Sequence, residues 1–322
     1  MDKPRVLVTA YWVSPGGELD RALQGAGFET VFNPITKKRS EDEMVEILKG
    51  IDAVVAGADP YTARVLASTN RLKIIARTGV GYDSVDVKAA TAAKVAVCVT
   101  AGLNRHSVSE YAFALMLYCA KRLGENAAEV QRRGWRRHEG IDLAGKTLGI
   151  IGLGTIGKEV AQRAAAFEMR LLAYELFQDQ VFAEAMKVAF VPLDQLLKES
   201  DFVTLHINLS PQSHHFINAE RLALMKPTAY LINTSRGSVV DTDALYQALK
   251  EKRIGGAGLD VFEQEPLGES PLLELDNVIL TPHAAGSTHD THDRSPLIAA
   301  GEVIRLFKGE RPLHVLNPEV LS

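Results

Sequence analysis

Short apolar runs alternate with amphipathic stretches along the first third of the chain. Runs at Arg5–Ala10, Glu29–Phe32, Ala53–Ala56, Lys73–Ala76 and Ala96–Val99 predict strands buried on both faces. Between them Glu18–Ala26, Ser40–Lys49, Thr62–Ser68 and Val85–Ala93 have helical spacing. Strand and helix in turn predict a parallel sheet with helical crossovers. The stretch from Ser107 to Arg122 is apolar on nearly every face and predicts a buried helix. After a basic segment, Arg132 to Arg137, the alternation resumes. Further strands are expected at Lys146–Ile151, Leu171–Tyr174, Phe202–Leu205, Tyr230–Asn233, Gly256–Asp260 and Val278–Leu280. A last helix is expected over Asp290–Phe307, with Pro296 setting a kink or a late start.

Composition narrows the class. At 322 residues the chain is long for one core and suits two domains. A net charge of −4 speaks against a partner bound by phosphate neutralisation, so no nucleic acid is expected. No apolar run approaches the ~18 residues of a membrane helix, and the run Val6–Ala10 is too short for a signal peptide. The two cysteines, Cys98 and Cys119, lie in apolar segments and read as buried thiols. A cytoplasmic protein without membrane contact is expected.

The run ending at Ile151 is followed by Gly152-Leu153-Gly154-Thr155-Ile156-Gly157, then by a helical stretch, then by a second apolar run that ends in Glu175. In that context the glycines form a dinucleotide fingerprint. Gly152 allows the tight turn, Gly154 lets backbone approach a pyrophosphate, and Gly157 lets helix and strand pack closely. Glu175 would accept bonds from both ribose hydroxyls. A carboxylate there repels a 2′-phosphate, and Leu176 and Phe177 bring no arginine, so NAD is favoured over NADP.

Three later strand ends carry complementary groups. Asn233-Thr234-Ser235-Arg236-Gly237 presents a guanidinium able to hold a carboxylate by two bonds. Gly258 to Pro266 contains Asp260, Glu263 and Glu265. His283 follows Pro282 at a strand end and suits a general acid or base. A nearby carboxylate would raise its pKa and hold its tautomer, and Glu263 and Glu265 are both close enough in sequence to supply it. No metal is expected, because the adjacent His214 and His215 should point apart and His289 and His292 sit in a charged helix start.

These segments, with Arg77 to Asp86 and Pro282 to Thr288, resemble the D-isomer-specific 2-hydroxyacid dehydrogenase family, in particular its phosphoglycerate-dehydrogenase-like branch. The resemblance implies an α/β architecture of two doubly wound parallel-sheet domains. A Rossmann-type nucleotide domain, residues 104–291, would be inserted in a flavodoxin-like substrate domain, residues 1–103 and 292–322. It implies an NAD-dependent oxidoreductase that interconverts a small 2-oxo acid and a D-2-hydroxy acid, assembled as a homodimer. It assigns catalysis to Arg236, Glu265 and His283. It assigns the cofactor to Gly152, Gly154, Thr155, Ile156, Gly157, Glu175, His206, Ile207, Thr234, Ser235, Arg236, Asp260, His283 and Ala285, with Asp260 on the nicotinamide carboxamide. It assigns the substrate to Arg77, Val80, Gly81, Arg236 and His283. It also allows the basic segment Arg132 to Arg137 to reach a partner subunit; as residues alone, that segment reads equally as a solvated helix end.

The chain departs from the branch pattern in two places. Val55-Ala56-Gly57-Ala58 lacks the arginine that phosphoglycerate-specific members carry, and Asn208 stands where a proline is usual. Two alternatives remain at this point: a nicotinamide-sensing interaction protein of the C-terminal binding protein type, and a phosphite-type dehydrogenase. Pro282, where formate-type members have glutamine, speaks against formate oxidation.

Overall fold

Alternating side chains decide how the strands bury themselves. In the first strand Val6 and Val8 enter one apolar cluster while Leu7 enters the cluster on the opposite face. Such a strand must be covered on both sides, which crossover helices accomplish. The computed structural model describes residues 3–35, 37 and 39–321.

The chain forms two compact units, one made of the residues up to Asn104 with those from Thr288 on, the other of Arg105–Ser287. In the first, β1 (Arg5–Val8), α1 (Glu18–Gly25), β2 (Glu29–Phe32), α2 (Glu41–Ile47), β3 (Ala53–Ala56), α3 (Ala63–Ala67), β4 (Ile74–Arg77), α4 (Val87–Ala92) and β5 (Ala96–Cys98) follow in turn. The sheet order is β2-β1-β3-β4-β5, with every pair parallel, a flavodoxin-like arrangement.

The second unit begins with α5 (Arg105–Lys121) and α6 (Leu123–Gln131). It continues through β6 (Thr147–Ile151), α7 (Thr155–Ala166), β7 (Arg170–Tyr174), α8 (Gln180–Met186), β8 (Val188–Phe190), α9 (Leu193–Glu199) and β9 (Phe202–Leu205). It closes with α10 (Ala219–Leu224), β10 (Tyr230–Asn233), α11 (Thr242–Lys250), β11 (Gly256–Leu259) and β12 (Val278–Leu280). The order β12-β11-β10-β9-β6-β7-β8 is again all parallel and reverses direction between β6 and β9. That reversal is the switch point at which doubly wound sheets open a ligand crevice. Both sheets are those of doubly wound α/β domains, the second with Rossmann strand order.

The last helix, α12 (His289–Phe307), belongs to the first unit. It runs through Pro296, so that of the two alternatives read from the sequence, a kink or a late start, the late start does not occur. Thr288 caps it, its hydroxyl accepting from the Thr291 N–H at 3.2 Å. Burial of Pro296, Ala299, Ala300 and Val303 holds the helix across the bond that proline cannot make. The division between the units falls between Ser287 and Thr288, before this helix, and within the first unit the His292 ring stacks on Trp12 at 4.6 Å. The strand β8 and the helices α6, α8, α9, α10 and α11 were not legible in the apolar pattern. Among the described residues no helix is long and apolar enough to cross a membrane.

Candidate active site

At the switch point of the second sheet, Gly152 has φ +95°. A Cβ there would meet the His206 carbonyl oxygen at 2.5 Å, so glycine is required for both conformation and space. A Cβ on Gly157 would meet the Gly152 carbonyl oxygen at 2.1 Å, whereas one on Gly154 would meet nothing within 4 Å. The turn is therefore closed at its two ends and open at its middle. That open point is the start of α7, whose first amides have no side-chain cap. Thr155 and Ile156 form its first turn. Backbone N–H groups and the helix dipole there suit a diphosphate.

Glu175 stands at the end of β7 and faces this loop: Oε2 accepts from the Leu153 N–H at 2.8 Å and Oε1 from the Leu176 N–H at 2.7 Å. His206 and Ile207 line the other side, with Ile207 Cγ2 2.8 Å from where a Gly152 Cβ would be. Burial holds the His206 imidazole far below its ordinary pKa and hence neutral; its Nε2 lies 2.9 Å from the Thr204 hydroxyl. Thr234 is buried, and its hydroxyl has no partner in the protein. An orphaned, buried hydroxyl after β10, on the same sheet as the glycine turn, fits a bound dinucleotide.

The strand ends of β10, β11 and β12 carry the second group of residues. Buried Asn233 shapes the arginine loop: Oδ1 accepts from the Ser235 N–H at 3.0 Å and Nδ2 donates to the Arg236 carbonyl at 2.9 Å. Arg236 Nη1 donates to the Ser235 carbonyl at 2.6 Å. A Cβ on Gly237 would lie 1.8 Å from the Phe262 carbonyl carbon, so this loop rests directly on the backbone that leads to Glu265. The Phe262 N–H donates to Glu265 Oε1 at 3.0 Å, and Glu265 Oε2 lies 2.8 Å from His283 Nδ1. Burial raises the Glu265 pKa, but the His283 bond and charge, the Phe262 amide and the Arg236 charge outweigh it and leave the carboxyl below its usual range. Nδ1 is thereby occupied, and Nε2 is the His283 atom left to exchange a proton.

Asp260 is fully buried and organises the histidine loop. Its Oδ1 accepts from the Thr281 hydroxyl at 2.6 Å and the Ala284 N–H at 2.8 Å; its Oδ2 accepts from the Ala285 N–H at 2.8 Å. His283 itself has φ +52°, a conformation that a non-glycine residue keeps only when its surroundings impose it. Asn233, Gly237 and the anchoring bonds of Asp260 were not singled out in the sequence. An Asn and an Asp directly after apolar runs were the available signals, since both types bond nearby backbone at turns.

Glu263 is not beside His283. Its Oε1 accepts from the Thr242 N–H at 2.9 Å and its Oε2 lies 3.1 Å from His215 Nε2. The expectation that His214 and His215 point apart is overturned, because their rings stack at 4.0 Å. His215 has φ +49°, which breaks the alternation of an extended chain. In the first unit, Arg77 Nε donates to the Gly81 carbonyl at 3.1 Å, which fixes the loop that carries Val80 and Gly81 after β4.

Comparison with known proteins gives the family. The family model described as D-isomer specific 2-hydroxyacid dehydrogenase, NAD binding domain, matches residues 113–285. The chain belongs to the D-isomer-specific 2-hydroxyacid dehydrogenases. A glyoxylate reductase of Korarchaeum cryptofilum is 44% identical over 291 residues, 88% of each chain. A D-3-phosphoglycerate dehydrogenase of Methanocaldococcus jannaschii is 40% identical over 301 residues, 92% of this chain and 57% of that one. The solved D-lactate dehydrogenase of Aquifex aeolicus, complexed with NAD and lactic acid, superposes with a TM-score of 0.85 at 32% identity, covering 97% of this chain and 99% of that one. This dehydrogenase is thus an NAD-dependent enzyme acting on 2-hydroxy acids.

Proposed function

We propose that the enzyme reduces a short, unphosphorylated 2-oxo acid of the glyoxylate or hydroxypyruvate kind to the corresponding 2-hydroxy acid, with D configuration where the product is chiral. The observation that carries the chemistry is the His283–Glu265 pair at 2.8 Å on a loop pinned by Asp260. Bound NADH supplies the hydride to C2 of the oxo acid. His283, as imidazolium, gives the proton on Nε2 to the carbonyl oxygen, while Glu265 on Nδ1 fixes the ring and favours its charged form. Arg236 pairs with the substrate carboxylate, and its charge polarises the neighbouring carbonyl. The Val80 and Gly81 amides are assigned to the same carboxylate on the family resemblance. A proton-transfer group of this kind contributes about 10² to 10⁴ in rate.

The preference for an unphosphorylated acid rests on two supports. The segment Val55 to Ala58 has no basic side chain, and the Korarchaeum relative, matched over 88% of its length, is named a glyoxylate reductase. The test is NADH oxidation with glyoxylate, hydroxypyruvate, pyruvate and 3-phosphooxypyruvate. Glyoxylate or hydroxypyruvate should exceed the phosphorylated acid by about tenfold or more in kcat/KM; preference for the phosphorylated acid would overturn the assignment. Arg236→Lys should lower kcat/KM by about 10² or more without changing NADH affinity, since a point charge cannot align the carboxylate as the guanidinium fork does.

A further inference from the structure

Outside the residues just described, the second unit gathers two imidazoles and a carboxylate at one place. His214 and His215 end the loop after β9, Asp241 caps α11, and Glu263 follows β11. The potential ligand atoms of His214, His215 and Glu263 all lie within 4.8 Å of one another. The closest pair, His215 Nε2 and Glu263 Oε2 at 3.1 Å, is already near the ~3.4 Å that separates two donors in a tetrahedral site with bonds of about 2.1 Å.

The surroundings fix these groups from behind. The second oxygen of Glu263 is held by the Thr242 N–H at 2.9 Å, which leaves Oε2 to face the histidines. Asp241 Oδ2 lies 3.9 Å from His215 Nδ1, beyond hydrogen-bond reach but close enough for its charge to add to the negative potential that favours a cation at this cluster. The histidine backbone is tied down as well. His214 N–H donates to the Ser210 carbonyl at 3.0 Å and His215 N–H to the Ser238 carbonyl at 2.8 Å. The Ser213 hydroxyl donates to the Asn208 carbonyl at 2.6 Å and braces the same turn. The left-handed φ of +49° at His215, which puts both rings on one side, is therefore imposed by the loop. His214 is exposed, so its ring is free to close the remaining distance and solvent has access to a fourth position.

We propose that His214, His215 and Glu263, supported by Asp241, bind a divalent transition metal such as Zn²⁺, apart from the Arg236, Glu265 and His283 set. Two imidazoles with one carboxylate suit Zn²⁺, Co²⁺ or Ni²⁺ and not Mg²⁺ or Ca²⁺, which take oxygen ligands. The three protein ligands leave one position for water. The site is independent of which oxo acid the enzyme reduces.

The test uses the full-length, tag-free protein with ZnCl₂ by calorimetry and CoCl₂ by its visible d–d absorption. One equivalent should bind per chain. His214→Gln and Glu263→Gln should each weaken binding by about tenfold or more, with circular dichroism unchanged. Asp241→Asn should weaken it by about 10- to 100-fold through loss of the supporting charge, while still capping α11. His289→Gln with His292→Gln removes the other neighbouring histidine pair and should leave binding unchanged. MgCl₂ should not compete. His215→Gln should weaken binding as much, and should that variant fail to fold, His214→Gln and Glu263→Gln carry the test. Absence of saturable Zn²⁺ and Co²⁺ binding, or binding that survives His214→Gln, would overturn the proposal.

Discussion

Asp260 and Glu175 show how much one carboxylate can decide. Asp260 accepts three hydrogen bonds, all from the loop that carries His283. An asparagine there keeps one acceptor and turns an N–H₂ toward the Ala284 or Ala285 N–H, so a buried donor is left unpaired at a cost of about 1–3 kcal/mol. Asp260→Asn should lower the thermal midpoint. It should also reduce kcat by about 10² through displacement of His283, as read from a melt and a steady-state assay on one sample. Glu175 works in the opposite direction, by repulsion. Because it faces the glycine loop through the Leu153 amide, a 2′-phosphate would be brought against its charge. Fluorescence titration should give NADPH binding about 10-fold or more weaker than NADH, and Glu175→Ala should narrow the ratio. An unchanged ratio would mean that another group sets the preference.

At the level of elements, the sheet of the second unit is stitched at its strand starts as well as along its ladders. Asp201, just before β9, accepts from the Thr147 N–H of β6 at 2.8 Å and from Lys226 Nζ at 2.8 Å. Burial raises its pKa, but Lys226 and the Thr147 amide outweigh that and bring it below the ordinary carboxylate value. A carboxyl whose folded value lies below its unfolded value of about 3.9 stabilises the fold above that pH, and the contribution is lost as pH falls through the folded value. Asp201→Asn should therefore cost about 1–3 kcal/mol at pH 7 in urea denaturation, and the gap to the parent protein should narrow as pH falls below the unfolded value of about 3.9. A gap independent of pH would show that the side-chain shape, not its charge, joins β6 to β9.

At the scale of the whole molecule, the second unit exposes large apolar side chains over one stretch of chain. Leu123, Val130 and Trp135 are 49%, 59% and 81% exposed along one stretch of chain, which is unusual for large apolar side chains within so short a segment. The 35.1 kDa chain should sediment as a dimer, and Trp135→Glu should shift it toward monomer. A wild-type monomer at micromolar concentration would rule this out. The sequence by itself determined the layer architecture, because apolar runs of strand length between amphipathic helices leave no alternative to buried parallel sheets. It also determined the glycine loop, the acid after β7, and the residue types at three strand ends, since turn chemistry is local. Tertiary structure decided what those types face. Glu263 and Glu265 are two residues apart and indistinguishable by pattern, yet β11 and β12 deliver only Glu265 to His283, while α11 and the loop after β9 take Glu263. The stacking of His214 on His215 came from a left-handed φ fixed by bonds to Ser210 and Ser238, which no side-chain periodicity encodes.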